Sequence, residues 1–167
     1  AEYRSNLIQM AINEDSAFVL PSPEIMNISD VSLAEVQGHY DLTFKDYGIV
    51  LMHPDTTDKN GTRKNIDELV GFLQTTKRCF YILHPNFDDG YEYFFETLRA
   101  KNIHNFKNIH IIKNMRFGSY QCLLKSSKLN IGNSSSFVRE APRHGNYSLI
   151  LGGRQDGRVQ DKNVVYL

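Results

Sequence analysis

The stretch that decides the fold is residues 129–142, which read LNIGNSSSFVREAP. Its opening residues are typical of a short buried strand, and three consecutive serines follow where a helix is predicted to begin. A helix N-terminus placed directly after a strand presents free backbone N–H groups beyond the end of that strand. Such groups favour an anion, so the stretch predicts a phosphate-binding site at one edge of a sheet.

A second stretch, residues 152–158, reads GGRQDGR and follows the next predicted strand. Its two arginines, Arg154 and Arg158, are suited to neutralising a diphosphate. Glu140 lies four residues after Ser136, one position beyond capping-box spacing, so its carboxylate is expected to be available for a group such as a ribose diol. Taken singly, serines at a helix start and charged residues on a surface are ordinary features. Their combination predicts a nucleotide-sugar site.

Segments typical of buried strands alternate along the chain with segments typical of helices. The predicted strands are 17–20, 47–52, 79–83, 109–112, 129–131, 148–151 and 164–167. The predicted helices are 2–12, 32–37, 63–76, 90–101, 117–127 and 135–142, with Gly38 and Gly145 as the stop signals of the second and the last. This order predicts an α/β fold with a Rossmann-like, doubly wound and mostly parallel sheet.

In such a sheet, ligands bind at the carboxyl ends of the strands. His53 follows one predicted strand, where an imidazole can donate a hydrogen bond to a phosphate or move a proton, although a strand-end histidine is often structural. Tyr120 is interpreted as a base-stacking residue or as a core aromatic. The polar segment 55–65, which contains an Asn-Gly pair, is predicted to be an exposed, mobile loop on the same side.

The composition argues against several other classes of protein. Lys and Arg total 19 and Asp and Glu total 19, so no overall positive field indicates a nucleic-acid partner. The apolar runs are far shorter than the roughly 20 residues of a membrane helix. The two cysteines and six histidines show no zinc spacing, so neither a metal nor a cofactor is predicted. The whole chain, residues 1–167, is predicted to be one cytoplasmic domain.

Three segments, GNSSSFVREAP, GGRQDGR and the closing Asn163-Val164-Val165, resemble the signature of UDP-N-acetylglucosamine 2-epimerases. Those enzymes typically read GNSSSG-I-x-EAP, then IG-x-RQ-x-GR, then N-V-I-x-V. The likeness extends through residues 3–7, 18–28, 51–56, 85–86 and 116–120. The His-Pro-x-Thr and Arg-Gln-x-Gly-Arg forms indicate the hydrolysing branch, which yields N-acetylmannosamine and UDP.

The resemblance implies one half of a glycosyltransferase-B-like architecture, in which two Rossmann-like domains close over the nucleotide sugar. The chain corresponds to the C-terminal, UDP-binding half, with residues 1–15 as the helix that crosses between domains. The implied partners are UDP or UDP-N-acetylglucosamine, an N-terminal domain that carries the acid/base carboxylates, and further copies in a homo-oligomer of the full-length protein. The isolated chain is therefore expected to bind UDP without turnover.

The same resemblance implies a role for each site residue. His53 is the catalytic residue, in contact with the diphosphate near the bond that breaks. Tyr120 lies beside the uracil and Glu140 binds the ribose hydroxyls. The remaining UDP-binding residues are Asn86, Ser134, Ser135, Ser136, Arg154 and Arg158.

Phe137 stands where the family usually has a glycine, and its ring is expected to crowd the approach of a phosphate. Two alternatives stay open. One is a sugar transferase of similar architecture, and the other is a non-catalytic module that binds a nucleotide sugar.

Overall fold

The chain folds into a six-stranded, all-parallel sheet with helices on both faces. The computed structural model describes residues 2–20, 31–158 and 161–167. The strands are β1 (Tyr47–Leu51), β2 (Cys79–Leu83), β3 (Ile109–Ile112), β4 (Leu129–Gly132), β5 (Tyr147–Ile150) and β6 (Val164–Tyr166). The helices are α1 (Glu2–Gln9), α2 (Leu33–His39), α3 (Lys59–Thr75), α4 (Glu92–Ala100), α5 (Phe117–Ser126) and α6 (Ser135–Arg139), with short 3₁₀ turns between them.

The strands lie in the order β3-β2-β1-β4-β5-β6. The chain proceeds outward in one direction from β1 to β3, then returns to the centre and proceeds in the other direction from β4 to β6. The loops that follow β1 and β4 therefore diverge, and a crevice opens between them at the carboxyl edge, the place where doubly wound sheets bind their ligands. The predicted Rossmann-like fold is confirmed.

Two apolar layers cover the sheet. On one face, α2, α5 and α6 contribute Val36, Leu123 and Phe137 to a core that contains Ile49 of β1. On the other face, α3 and α4 pack against Val50 of β1. The buried positions of α3 are Thr62, Ile66, Leu69, Val70 and Leu73, whose apolar members follow helical spacing. Alternate residues of β1 thus enter opposite cores, which is why this strand reads as a continuous apolar run.

Gly132 ends β4 at the centre of the crevice. Its φ is +143°, and a Cβ there would lie 2.0 Å from the carbonyl oxygen of Leu51 in β1. Only glycine lets the two central strands approach this closely at the point where the chain turns into α6.

Most predicted elements coincide with the observed ones. The bounds of β2 and β3 match the prediction, and the other four observed strands differ from it by one or two residues. The predicted strand at 17–20 is wrong, because its residues lie in an irregular segment where Phe18, Val19 and Leu20 are exposed. A short apolar run signals a need for burial and does not by itself specify a strand. Residues 21–28, the remainder of the segment 18–28 that resembles the epimerases, lie outside the described residues.

Two helix predictions and one loop prediction need correction. The helix α2 continues through Gly38 to His39, and the left-handed residue after it is Asp41, with φ 53°. Residues 55–65 are not one loop: α3 begins at Lys59, where Asp58 caps it by accepting a hydrogen bond from the Gly61 N–H. The predicted helix 135–142 is α6 followed by a 3₁₀ turn, and this turn ends at Gly145, with φ 77°, as predicted.

Candidate functional site

The carboxyl edge of the sheet brings three of the predicted site residues, His53, Asn86 and Arg154, close together. We call the group of His53, Asn86, Asn133, Arg154 and Gln155 the edge cluster. His53 follows β1 and its Nδ1 accepts a hydrogen bond of 3.2 Å from the Asn86 backbone N–H in the loop after β2. Arg154 follows β5 and donates from Nη1 to the carbonyl oxygen of Asn133, 3.3 Å away, just beyond β4. Residues from four different loops therefore meet at the crevice.

His53 is neutral at physiological pH. Burial of the imidazole, and secondarily the positive charge of Arg154, lower the pKa of His53 from 6.5 to about 4, although Asp88 acts in the opposite direction. Because Nδ1 accepts a hydrogen bond, the proton of the neutral ring lies on Nε2. His53 thus presents an N–H donor without a formal charge, and Arg154 supplies the positive charge beside it.

A second group lies where α5 packs against α6. We call the group of Tyr120, Gln121, Ser134, Ser136 and Glu140 the helix cluster. The hydroxyl groups of Tyr120 and Ser136 form a short hydrogen bond, and the Ser136 hydroxyl also lies 3.0 Å from that of Ser134. Gln121 donates from Nε2 to the Glu140 carboxylate at 2.6 Å. Each member of the cluster is therefore hydrogen-bonded to another member. Burial raises the pKa of the Tyr120 hydroxyl.

This arrangement gives Glu140 a hydrogen-bond partner that the sequence did not predict. Its carboxylate was expected to be available for an outside group, yet one of its oxygens accepts a hydrogen bond from Gln121. Sequence spacing excluded a capping partner within the same helix and gave no information about the neighbouring helix. The cap of α6 is Ser134, whose hydroxyl accepts a long hydrogen bond of 3.4 Å from the Ser136 N–H.

Phe137 does not lie where it was expected to crowd a phosphate. Its side chain is fully buried, with 0% exposure, in the core on the α2, α5 and α6 face of the sheet. Phe137 is the third residue of α6, which begins at Ser135, and it faces the core. Ser135 itself is only half-buried, so among the three serines it is the most accessible to a ligand.

Two residues are less well integrated into either cluster. Arg158 is exposed, and its described interactions are a backbone hydrogen bond to Gln155 and a charge interaction with Tyr166. The Asn86 side chain donates to Asp88 at 2.7 Å, so its contact with the edge cluster is made through its backbone.

Next to the helix cluster, a cleft of about 460 Å³ opens between α2 and the first turn of α5. Its lining includes Glu35, His39, Arg116, Gly118 and Ser119. Ser119 directly precedes Tyr120, so the cleft begins beside the residue that was expected to lie next to a base.

Sequence reasoning did not identify Asn133 or Gln155, the residues that join the loops of the edge cluster. Both are buried, with 2% and 1% exposure. The signal in the sequence was weak: both amides stand in loops that follow predicted buried strands, where a polar side chain that becomes buried needs hydrogen-bond partners.

Among residues 2–20, 31–158 and 161–167, no three His, Cys, Asp or Glu side chains are grouped so that they would hold a metal ion. Within those same ranges, no helix has the length and apolar character required to cross a membrane.

Comparison with known proteins settles the ancestry of this site. The family model described as UDP-N-acetylglucosamine 2-epimerase matches residues 1–167. The chain belongs to this family. The assignment covers both clusters and confirms the resemblance seen in the GNSSSFVREAP and GGRQDGR segments.

Individual relatives agree with this assignment. The chain is 30% identical over 165 residues to the UDP-N-acetylglucosamine 2-epimerase of Neisseria meningitidis serogroup B, covering 97% of this chain and 43% of the relative. It is 28% identical over 171 residues to the hydrolysing GDP/UDP-N,N'-diacetylbacillosamine 2-epimerase of Campylobacter jejuni, covering 98% and 44%. The chain therefore spans less than half the length of these curated relatives.

The fold is also shared with a solved structure. The UDP-GlcNAc 2-epimerase of Methanocaldococcus jannaschii, crystallised in complex with UDP-GlcNAc and UDP, superposes with a TM-score of 0.66 at 17% identity. The match covers 98% of this chain and 47% of the other.

Proposed function

We propose that this chain is the UDP-binding half of a hydrolysing UDP-N-acetylglucosamine 2-epimerase. The observation that carries the proposal is the edge cluster: a neutral imidazole N–H and a half-buried guanidinium lie together at the topological switch point. Diphosphate recognition needs donors and positive charge at one place, and the edge cluster supplies both. Membership of the epimerase family supports the same assignment.

The diphosphate is placed between His53, Arg154 and the serines that begin α6. Nε2–H of His53 donates to a phosphate oxygen, and Arg154 balances the negative charge. The half-buried Ser135 hydroxyl is the most accessible of the three serine donors on the α6 side. Arg158, which is exposed, reaches the outer phosphate once the ligand is bound.

The nucleoside is placed at the helix cluster. The base lies beside Tyr120, in the cleft lined by Gly118 and Ser119, and the ribose hydroxyls reach Glu140. Glu140 already accepts from Gln121, so a ribose hydroxyl shares this carboxylate with the amide.

The reaction belongs to the whole protein. A base removes the proton at C2 of the sugar as the C1–O bond to UDP breaks, giving a 2-acetamidoglucal and UDP. Water then adds across the double bond, with its oxygen at C1 and a proton on the other face of C2, to give N-acetylmannosamine. His53 and Arg154 stabilise the negative charge on the departing UDP, while the acid/base carboxylates lie in the other half.

The hydrolysing outcome is favoured by the Arg154-Gln155 and His53-Pro54 segments and by the similarity to the hydrolysing 2-epimerase of Campylobacter jejuni. Under this proposal the protein acts in the cytoplasm, assembles into a homo-oligomer at full length and supplies N-acetylmannosamine. Product analysis of the full-length enzyme tests it: incubation with UDP-N-acetylglucosamine is expected to give free N-acetylmannosamine and UDP. Accumulation of UDP-N-acetylmannosamine without free sugar contradicts hydrolysis, and transfer of the sugar to an acceptor identifies a transferase instead.

The isolated chain is tested by isothermal titration with UDP. We expect saturable binding with one site and no release of sugar from UDP-N-acetylglucosamine. A folded sample that shows no heat of binding up to about millimolar UDP, which corresponds to roughly 4 kcal/mol of binding free energy, contradicts the proposal.

A further inference from the structure

Asn133 makes two hydrogen bonds to the backbone of His53. The Asn133 side-chain oxygen accepts from the His53 N–H at 2.7 Å, and the side-chain nitrogen donates to the His53 carbonyl oxygen at 2.8 Å. The regular pairing of β1 with β4 ends at Leu51 and Gly132. The Asn133 amide thus extends the ladder beyond the end of the sheet and fixes the first turn after β1.

The backbone of the same residue holds the loop after β5. The Asn133 carbonyl oxygen accepts from Gln155 Nε2 at 2.8 Å and from Arg154 Nη1 at 3.3 Å. Three loops, which follow β1, β4 and β5, are therefore connected through a single residue that is 2% exposed.

We propose that Asn133 is the positioning residue of the site, fixing the His53 imidazole and the Arg154 guanidinium at the spacing that a diphosphate requires. The ligand in this inference rests on the proposed function. The two hydrogen bonds between Asn133 and His53 do not depend on that function, because they are present in the unliganded chain.

The chemistry explains why an amide occupies the position. His53 offers one donor and one acceptor from its backbone, and a carboxamide supplies the complementary acceptor and donor at the same spacing. An ionised carboxylate would accept but could not donate, and an alanine would leave both backbone groups without a partner at a half-buried position.

The test compares Asn133→Ala with Asn130→Ala. Asn130 is a matched control: it lies in β4, three residues before Asn133, is fully buried and bonds through its side chain, but near the opposite end of the sheet. NMR titration of the imidazole is expected to give a His53 pKa of about 4 in the wild type and in Asn130→Ala, and a value close to the ordinary 6.5 in Asn133→Ala. The rise is expected because the released turn exposes the imidazole to water.

A second readout is UDP affinity. Asn133→Ala is expected to weaken UDP binding by about 10-fold, a typical loss when a positioned hydrogen-bonding group is displaced, while Asn130→Ala changes it by less than about 2-fold. If Asn133→Ala does not fold, Asn133→Ser is used, since a hydroxyl at this position is too short to replace both bonds.

An unchanged His53 pKa in the folded Asn133 variant overturns the inference, and so does an equal rise in Asn130→Ala. If the wild-type chain fails to bind UDP, the proposed function fails, and the pKa comparison still decides the role of Asn133.

Discussion

The edge cluster and the helix cluster adjoin where Asn133 is followed by Ser134, and they differ in the hydrogen bonds that their side chains already make. In the edge cluster the hydrogen bonds involve mostly main-chain groups, so the Nε2–H of His53 stays available: among the described residues, nothing accepts from it. In the helix cluster the functional groups of Tyr120, Ser136 and Glu140 bond to neighbouring side chains.

This difference indicates how each cluster contributes to binding. A preorganised donor binds a ligand without first losing a partner, whereas a group that is already paired must share or exchange one. We therefore expect the diphosphate, bound at the edge cluster, to supply more of the UDP affinity than the nucleoside does.

The largest effect is expected for Gly132→Ala, which disturbs both clusters at once. The new Cβ would lie 2.0 Å from the Leu51 carbonyl oxygen at a φ of +143°, so β1 and β4 must separate. We expect a loss of more than about 4 kcal/mol in the free energy of unfolding, measured with urea. The control is Gly145→Ala, at φ 77° with open space around it, which is expected to cost about 1 kcal/mol. Equal costs would contradict the close approach of the two strands.

Phe137→Ala separates packing from binding. Removing this fully buried ring is expected to cost about 3–5 kcal/mol of stability, and Phe94→Ala, a similarly buried ring on the opposite face, should cost a similar amount. UDP affinity, measured by calorimetry below the unfolding temperature, should change by less than about 2-fold, since the ring packs into the core. Tighter UDP binding in Phe137→Ala would show that the ring does crowd the phosphate.

The pKa of His53 predicts a pH dependence of stability. Because the folded-state pKa, about 4, lies below the ordinary 6.5, the unfolded chain binds more protons between these values. Stability should therefore fall as pH is lowered from about 6.5 to about 4, by at most about 3 kcal/mol from this residue. His53→Gln should remove this contribution, whereas His104→Gln, at an exposed position, should retain it. If the unfolding free energy from urea denaturation depends on pH in the same way in wild type and His53→Gln, the buried neutral imidazole is contradicted.

Arg154 and Arg158 provide a direct contrast within one loop. Arg154→Ala is expected to weaken UDP binding by about 10- to 100-fold, the cost of losing a charge-assisted hydrogen bond, and Arg154→Lys by less. Arg158→Ala, at an exposed position, should weaken binding by less than about 3-fold because water screens its charge. The reverse order, measured by calorimetry at constant salt, would place the diphosphate away from the edge cluster.

The smallest effect is expected at the helix cluster. Glu140→Gln should weaken UDP binding by about 3-fold, because the wild-type carboxylate already shares its acceptor capacity with Gln121. Gln121→Ala removes this hydrogen bond from the carboxylate and should leave UDP affinity equal or slightly higher. A loss in Glu140→Gln as large as that in Arg154→Ala would show that the nucleoside dominates binding.

Patterns that depend on local sequence predicted much of this structure. The apolar runs of β2 and β3 gave their exact bounds, and the position of His53, Ser134 and Arg154 after β1, β4 and β5 followed from strand order. These features could be predicted because buried parallel strands are apolar throughout and their loops meet at one edge.

Features that depend on contacts between distant segments could not be predicted. The bond between Gln121 and Glu140 joins two helices, and Asn133 contacts a residue 80 positions away along the chain. The start of α3 was missed for a different reason: the Asn60-Gly61 pair is typical of a turn, but the cap at Asp58 starts a helix there. For the contacts of Glu140 and Asn133, the deciding partner is invisible in a short window of sequence.

The most direct test of a diphosphate site at the edge cluster is an NMR titration of the isotope-labelled chain with UDP, following backbone amides and the His53 imidazole together. We expect saturable chemical-shift changes at His53, Asn133, Ser135 and Arg154, and smaller changes at Tyr120 and Glu140. The pKa of His53 should rise when the diphosphate binds beside it. Shifts confined to the helix cluster, or no shifts at about millimolar UDP, would contradict a diphosphate site between β1 and β4.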